Sequence, residues 1–103
     1  MTNLKQLLID ELKNQIPSKE QEIKESDKEL EVLGAKLKVE KKTLDMEGIN
    51  ENLKEDFKYS VQALESMIIM EQNRNSELKK EMEMLKYRKD VIDSQFSSTE
   101  LDC

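Results

Sequence analysis

Histidine and tryptophan are absent from this 103-residue chain, proline and cysteine occur once each, and glycine occurs twice. Each shortage excludes something. Without histidine, the side chain that most often serves as general base and transition-metal ligand is missing. The lone cysteine, Cys103, can close no intrachain disulfide and can supply no zinc set; it is expected to be a free thiol on a terminal tail. As the last residue it also sits in the wrong place for a prenylation box, whose cysteine is fourth from the end. No glycine-rich loop is available to cradle a phosphate. Carboxylates are plentiful, but on exposed helices without a pocket they are expected to do no acid–base work. The expectation is a protein that is not an enzyme and needs no cofactor or metal.

Long apolar runs are missing too. The longest, Met67 to Met70, has four residues, far short of a membrane span, and the N-terminus has no signal-peptide pattern. An intracellular setting, cytoplasmic or nuclear, is the expected one. With two Phe and two Tyr, the buried surface is predicted to be a thin aliphatic seam and not a globular interior.

What is abundant is charge. Charged residues make up 39% and apolar residues 36%, the profile of a long helix or coiled coil in a single domain. The net charge of −6 divides as −2 over residues 1–50 (nine bases, eleven acids) and −4 over 51–103 (eight bases, twelve acids). Both signs alternate along the chain, as on solvated helix faces. The densest basic stretches, Lys36 to Lys42 and Lys79 to Lys89, are interrupted by Glu40 and by Glu81 and Glu83. Nucleic-acid binding through a basic surface is therefore disfavoured.

The apolar residues are ordered. Ile9, Ile16, Ile23, Leu30, Leu37 and Leu44 recur every seven residues, with Leu12 and Leu33 at the complementary seam position. These are positions a and d of a heptad. Downstream, Phe57, Leu64, Leu78, Leu85 and Ile92 hold position d, and Val61, Ile68, Met82 and Phe96 hold position a. The two frames do not join. If the chain doubles back, a layers must face d layers and paired residue numbers must sum to a constant, which here is 101. That rule pairs Leu44 with Phe57, Leu37 with Leu64, Leu33 with Ile68, Ile23 with Leu78, Ile16 with Leu85 and Ile9 with Ile92. Ser26 meets Asn75, a polar layer of the kind that fixes register at a cost in stability. Five layers are mixed: Glu40 with Val61, Leu30 with Glu71, Lys19 with Met82, Leu12 with Lys89 and Lys5 with Phe96.

The midpoint of that register falls on Gly48-Ile49-Asn50-Glu51-Asn52. Gly48 suits the left-handed conformation that ends a helix. Asn52, followed three residues on by Glu55, forms a capping-box pattern. The predicted fold is all-α: a long antiparallel helical hairpin with arm one over residues 3–47, a turn at 48–52, arm two over 53–97 and a disordered tail at 98–103. A continuous parallel coiled-coil dimer is the alternative, with Gly48 tolerated inside a helix at about 1 kcal/mol. Asn3 with Gln6 offers a cap for the first helix, and Ser18 with Gln21 offers a second start after Pro17. The first arm is thus expected to be kinked or broken at Pro17, with the kink favoured because Ile16 and Ile23 stay in phase. Gly34, beside Leu33, is either a tolerated cost or the mark of a close approach by another helix.

A two-stranded seam needs only positions a and d. Yet Val32, Val39 and Met46 share position c of the first arm, Ala63, Met70, Met84 and Val91 share it on the second, and Ile69 lies next to that stripe. A repeated apolar stripe calls for a partner. The functional expectation is an assembly or adaptor subunit that binds protein helices through its seam and this stripe, as a homo-oligomer or within a hetero-complex. A second reading takes Asp45, Glu47, Glu51, Glu55 and Asp56 as an acidic tip acting on a polymerase or nucleic-acid enzyme. Charge reversal at Glu47, Glu51 and Glu55 separates the two, since an adaptor still assembles. A third reading is membrane tethering through residues 4–16; it is disfavoured because Asp10 and Glu11 offset Lys5 and Lys13 on the polar face.

Overall fold

The computed structural model describes residues 3–96 and consists there of two long helices packed against each other. The first, α1, spans Leu4–Leu44, and the second, α2, spans Glu51–Gln95. The proposed tail at 98–103, including Cys103, lies outside the described residues.

Asn3 caps α1: its Oδ1 accepts the Gln6 N–H at 3.1 Å, and its carbonyl accepts the Leu7 N–H at 3.0 Å. The Gln6 side-chain amide donates to Asp10 at 2.8 Å, one turn along the same helix. Pro17 lies inside α1, and the helix runs through it unbroken. Its solvent-facing position explains why: the Lys13 carbonyl that loses its donor also belongs to an exposed residue. The capping pattern at Ser18 and Gln21 accordingly starts no helix.

Helix α1 stops at Leu44, three residues before the expected end of the first arm. The Asp45 N–H is shared between the Lys41 and Lys42 carbonyls at 3.3 and 3.2 Å, and the Met46 N–H reaches Thr43 at 3.2 Å, so the last turn tightens before the chain leaves it. Gly48 does adopt the left-handed conformation, with φ +79°, but inside the connection and not as the residue that closes α1. The second cap is displaced as well. Asn50, not Asn52, starts α2: its Oδ1 accepts the Asn52 N–H at 2.9 Å, and its carbonyl accepts the Leu53 and Lys54 N–H groups at 3.0 Å each. Two asparagines two residues apart are both competent caps, and the one already outside the helix takes the role.

The chain divides into two compact units, each holding a stretch of both helices: Glu25–Asn75, and Met1–Lys24 with Ser76–Cys103. In both, every described a and d position of the predicted seam is buried or half-buried. Within Glu25–Asn75, Leu33 (3% exposed) and Leu64 are the buried apolar side chains, and Leu30, Leu37, Leu44, Phe57, Val61 and Ile68 are half-buried. Beside them lies the polar layer. Ser26, at 0% exposure, donates its hydroxyl to Glu71 Oε1 at 2.7 Å; Asn75 Nδ2 donates to Ser26 Oγ at 3.1 Å and to Asp27 Oδ1 at 2.8 Å. Arg74 donates to the same Glu71 oxygen at 2.9 Å. The Ser26 hydrogen bond is the main reason Glu71 stays ionised to lower pH than an ordinary glutamate; burial opposes it and Arg74 adds to it. Gly34 faces open space, with nothing within 4 Å of where a methyl would stand, so α2 makes no close approach there.

Within the other unit, Ile9, Leu12, Leu78, Met82 and Leu85 are buried, and Ile16, Ile23 and Ile92 are half-buried. Burying a side chain of this size contributes about 1.5–3 kcal/mol. Three lysines occupy the mixed layers here, and each has found an oxygen at the edge. Lys5 Nζ donates to the Phe96 carbonyl at 2.6 Å, Lys19 pairs with Glu81 at 2.7 Å, and Lys89 pairs with Asp93 at 2.9 Å. These contacts hold the Lys19 and Lys89 ammonium groups protonated to higher pH than usual, through the Glu81 and Asp93 hydrogen bonds above all. Lysine stems thus cover the seam while their heads reach solvent.

Candidate interaction surface

Seam side chains are occupied by one another, so a partner must use what they leave outside. Position c lies next to g, and then d, around a helix, whereas b and e lie on the other side of a. Each paired unit therefore has two flanks of different chemistry.

In Glu25–Asn75, Val32 and Val39 of α1 and Met46 just after it are exposed (Val39 at 64%), as are Ala63, Ile69 and Met70 of α2 (Met70 at 71%). A groove of about 530 Å³ runs along this flank, floored by Val32, Ala35, Val39 and Leu64 and edged by Lys36, Glu40 and Ser60. Met67, at position g of α2 and also exposed, shares the flank by the same helical geometry. It belongs to no seam or c stripe; counting position g alongside c is the signal that would have found it. The b and e flank is charged instead, with Glu31, Lys38 and Lys41 on α1 and Glu65 on α2, and a Lys41–Glu65 ion pair of 3.7 Å bridges the helices there. Ile69, at position b, is the apolar exception on that side.

One mixed layer of this unit has no counterpart to the lysine solution. Glu40, expected opposite Val61, is half-buried, and its Oε2 is buried without a hydrogen-bond partner. An unpaired buried polar group costs about 1–3 kcal/mol, more when charged.

In the other unit, Met84 and Val91 are both exposed, but their surroundings are more polar. Val91 lines a groove with Leu8, Leu12, Ile92 and Arg88; Met84 lines another with Lys19, Glu22, Glu81 and Arg88. Leu4, Leu7 and Leu8 near the start of α1 are exposed as well, whereas Ile9 and Leu12 of the proposed tether segment are buried in the seam. Among the described residues, no helix is long and apolar enough to cross a membrane.

Asp45 and Glu47 of the connection and Glu51, Glu55 and Asp56 at the start of α2 are all exposed. Glu51 lies 3.8 Å from Lys54, and Glu55 lies 3.8 Å from Lys58, so helix neighbours offset two of them. Among the described residues, no three acids, cysteines or histidines are gathered as a metal ion would require. Comparison with known proteins finds no matching family model, curated relative or solved structure.

Proposed function

We propose that this chain is a non-catalytic assembly or adaptor subunit: α1 and α2 of one molecule stay paired as an antiparallel hairpin in solution, and their apolar c stripe binds other protein helices. The observation that carries this reading is the division of apolar side chains within Glu25–Asn75. Leu33 and Leu64 are consumed by the seam, while Val32, Val39, Met46 and Met70 remain exposed. Methionine suits such a surface because its flexible, polarisable side chain adapts to irregular helix contacts. An intracellular setting, cytoplasmic or nuclear, fits the same reading.

Two measurements test it. The hairpin is tested by spin labels on Glu20→Cys and Lys80→Cys in a Cys103→Ser background. A hairpin gives a short distance that survives dilution with unlabelled chain; in a parallel rod the two positions on one chain lie roughly 90 Å apart at 1.5 Å per residue. The adaptor role is tested by placing a photo-crosslinker at Val39 or Met70 and, as a control, at Lys38. Discrete protein adducts from the first two positions and none from Lys38 are expected. Adducts independent of position would remove the stripe's claim.

A further inference from the structure

The groove beside Val32 and Val39 carries two loose charges of opposite sign, and that bears on what fills it. Glu40 lines it, and one oxygen of its carboxylate is buried without a hydrogen-bond partner. Lys36 lines it one helical turn earlier; it is exposed and makes no ion pair among the described residues. The two do not meet along α1, where lysine four residues before glutamate is the weaker order for such a pair. The apolar floor offers a second helix something to bury, and the orphaned carboxylate needs a donor arriving with it. A two-fold contact brings the same patch from both molecules together, so residue i of one copy meets residue j of the other and the reverse. A surface with an unmet base and an unmet acid one helical turn apart beside an apolar strip is complementary to itself under that operation.

We infer that the occupant of this groove is a second copy of the chain, docked by the same face about a two-fold axis, with Lys36 of each copy supplying the donor that Glu40 of the other lacks. The inference rests on the helix-binding reading of the stripe and gives that reading its partner. Lysine suits the role because its long stem lies along Val32 and Val39 while its ammonium group reaches the carboxylate. The charge pair fixes which face meets which, and burial of the valine strip supplies the affinity.

The test is sedimentation velocity on the full chain over a concentration series, with helicity by circular dichroism as the check on folding. The wild type is expected to dimerise, and Lys36→Glu and Glu40→Lys are each expected to weaken the dimer about tenfold or more, since each sets like charges against one another. The double variant Lys36→Glu with Glu40→Lys is expected to recover it, because the swapped charges again match across the axis. A wild type that stays monomeric, or a double variant as weak as the singles, overturns the inference. The pair Val32→Ser with Val39→Ser separates the two levels of the argument. Should it abolish the dimer while the charge variants assemble like wild type, the stripe keeps its role and the charge pairing is wrong. Should the dimer persist undiminished there, both fall.

Discussion

The mixed layers of the two units meet the same problem with different side chains. In the unit built from Met1–Lys24 and Ser76–Cys103, the intruders are Lys5, Lys19 and Lys89, and each reaches past the seam to an oxygen at its edge. In Glu25–Asn75 the intruders are Glu40 and Glu71. Glutamate has a shorter stem, so it depends on a donor already close by. Glu71 has Ser26 and Arg74; Glu40 has none for its buried oxygen. A lysine in this seam thus finds its own partner at the rim, whereas a glutamate is satisfied only where a hydroxyl or a base already stands beside it.

Four substitutions sharpen or break this contrast. The largest effect is expected for Leu33→Ala, which empties the best-buried apolar position of the glutamate-bearing unit. A loss of about 2–4 kcal/mol in urea unfolding is expected. A loss below about 1 kcal/mol would mean that the layer collapses around the gap and that the seam there is loosely held.

Next comes the polar layer. Removing the Ser26 hydroxyl with Ser26→Ala leaves Asn75 and Glu71 short of a partner and is expected to cost about 1–3 kcal/mol. It also carries a pH signature. Glu71 binds its proton less readily in the folded chain than in the unfolded one. Its contribution is therefore complete above the unfolded-state value for glutamate and fades as pH falls through the lower folded-state value. Melting temperature followed from neutral to acid pH should fall less steeply in Ser26→Ala than in wild type. Parallel acid limbs would show that Glu71 is not held by Ser26 in solution.

The smallest expected effect concerns the unmatched acid. At concentrations low enough to keep copies apart, Glu40→Leu should raise stability by about 1–2 kcal/mol, since it removes an orphaned oxygen and adds apolar area opposite Val61. Lys19→Leu should raise it less, because that ammonium group already has Glu81. Equal gains would dissolve the distinction between the two kinds of intruder.

Much of the packing was written in the heptads, and the cross-helix contacts show why. Ser26 and Asn75 hydrogen-bond, and Lys5 reaches Phe96, both pairs summing to 101. Seam positions are set by a seven-residue spacing that local accidents do not disturb. Helix ends are set by single hydrogen bonds, and there the sequence offered rival solutions: Asn50 prevailed over Asn52, and the tightened turn after Lys41 closed α1 before Gly48 could. Side-chain reach was the other hidden variable. Nothing in the spacing distinguishes Glu71 from Glu40; only the packed helices reveal that one has a hydroxyl within 2.7 Å and the other has a buried oxygen with nothing to accept from.

Pro17 shows how much the placement of a defect matters. A long helix that wraps a partner bends with its outer side toward water, where the carbonyls tilt out and their hydrogen bonds lengthen. The proline stands on that outer side, so the acceptor it strands is hydrated at little cost. Shifted back by one residue, to Ile16, the same ring would strand the carbonyl of Leu12, a buried residue beyond easy reach of water. The helix would then be expected to part where it now runs through.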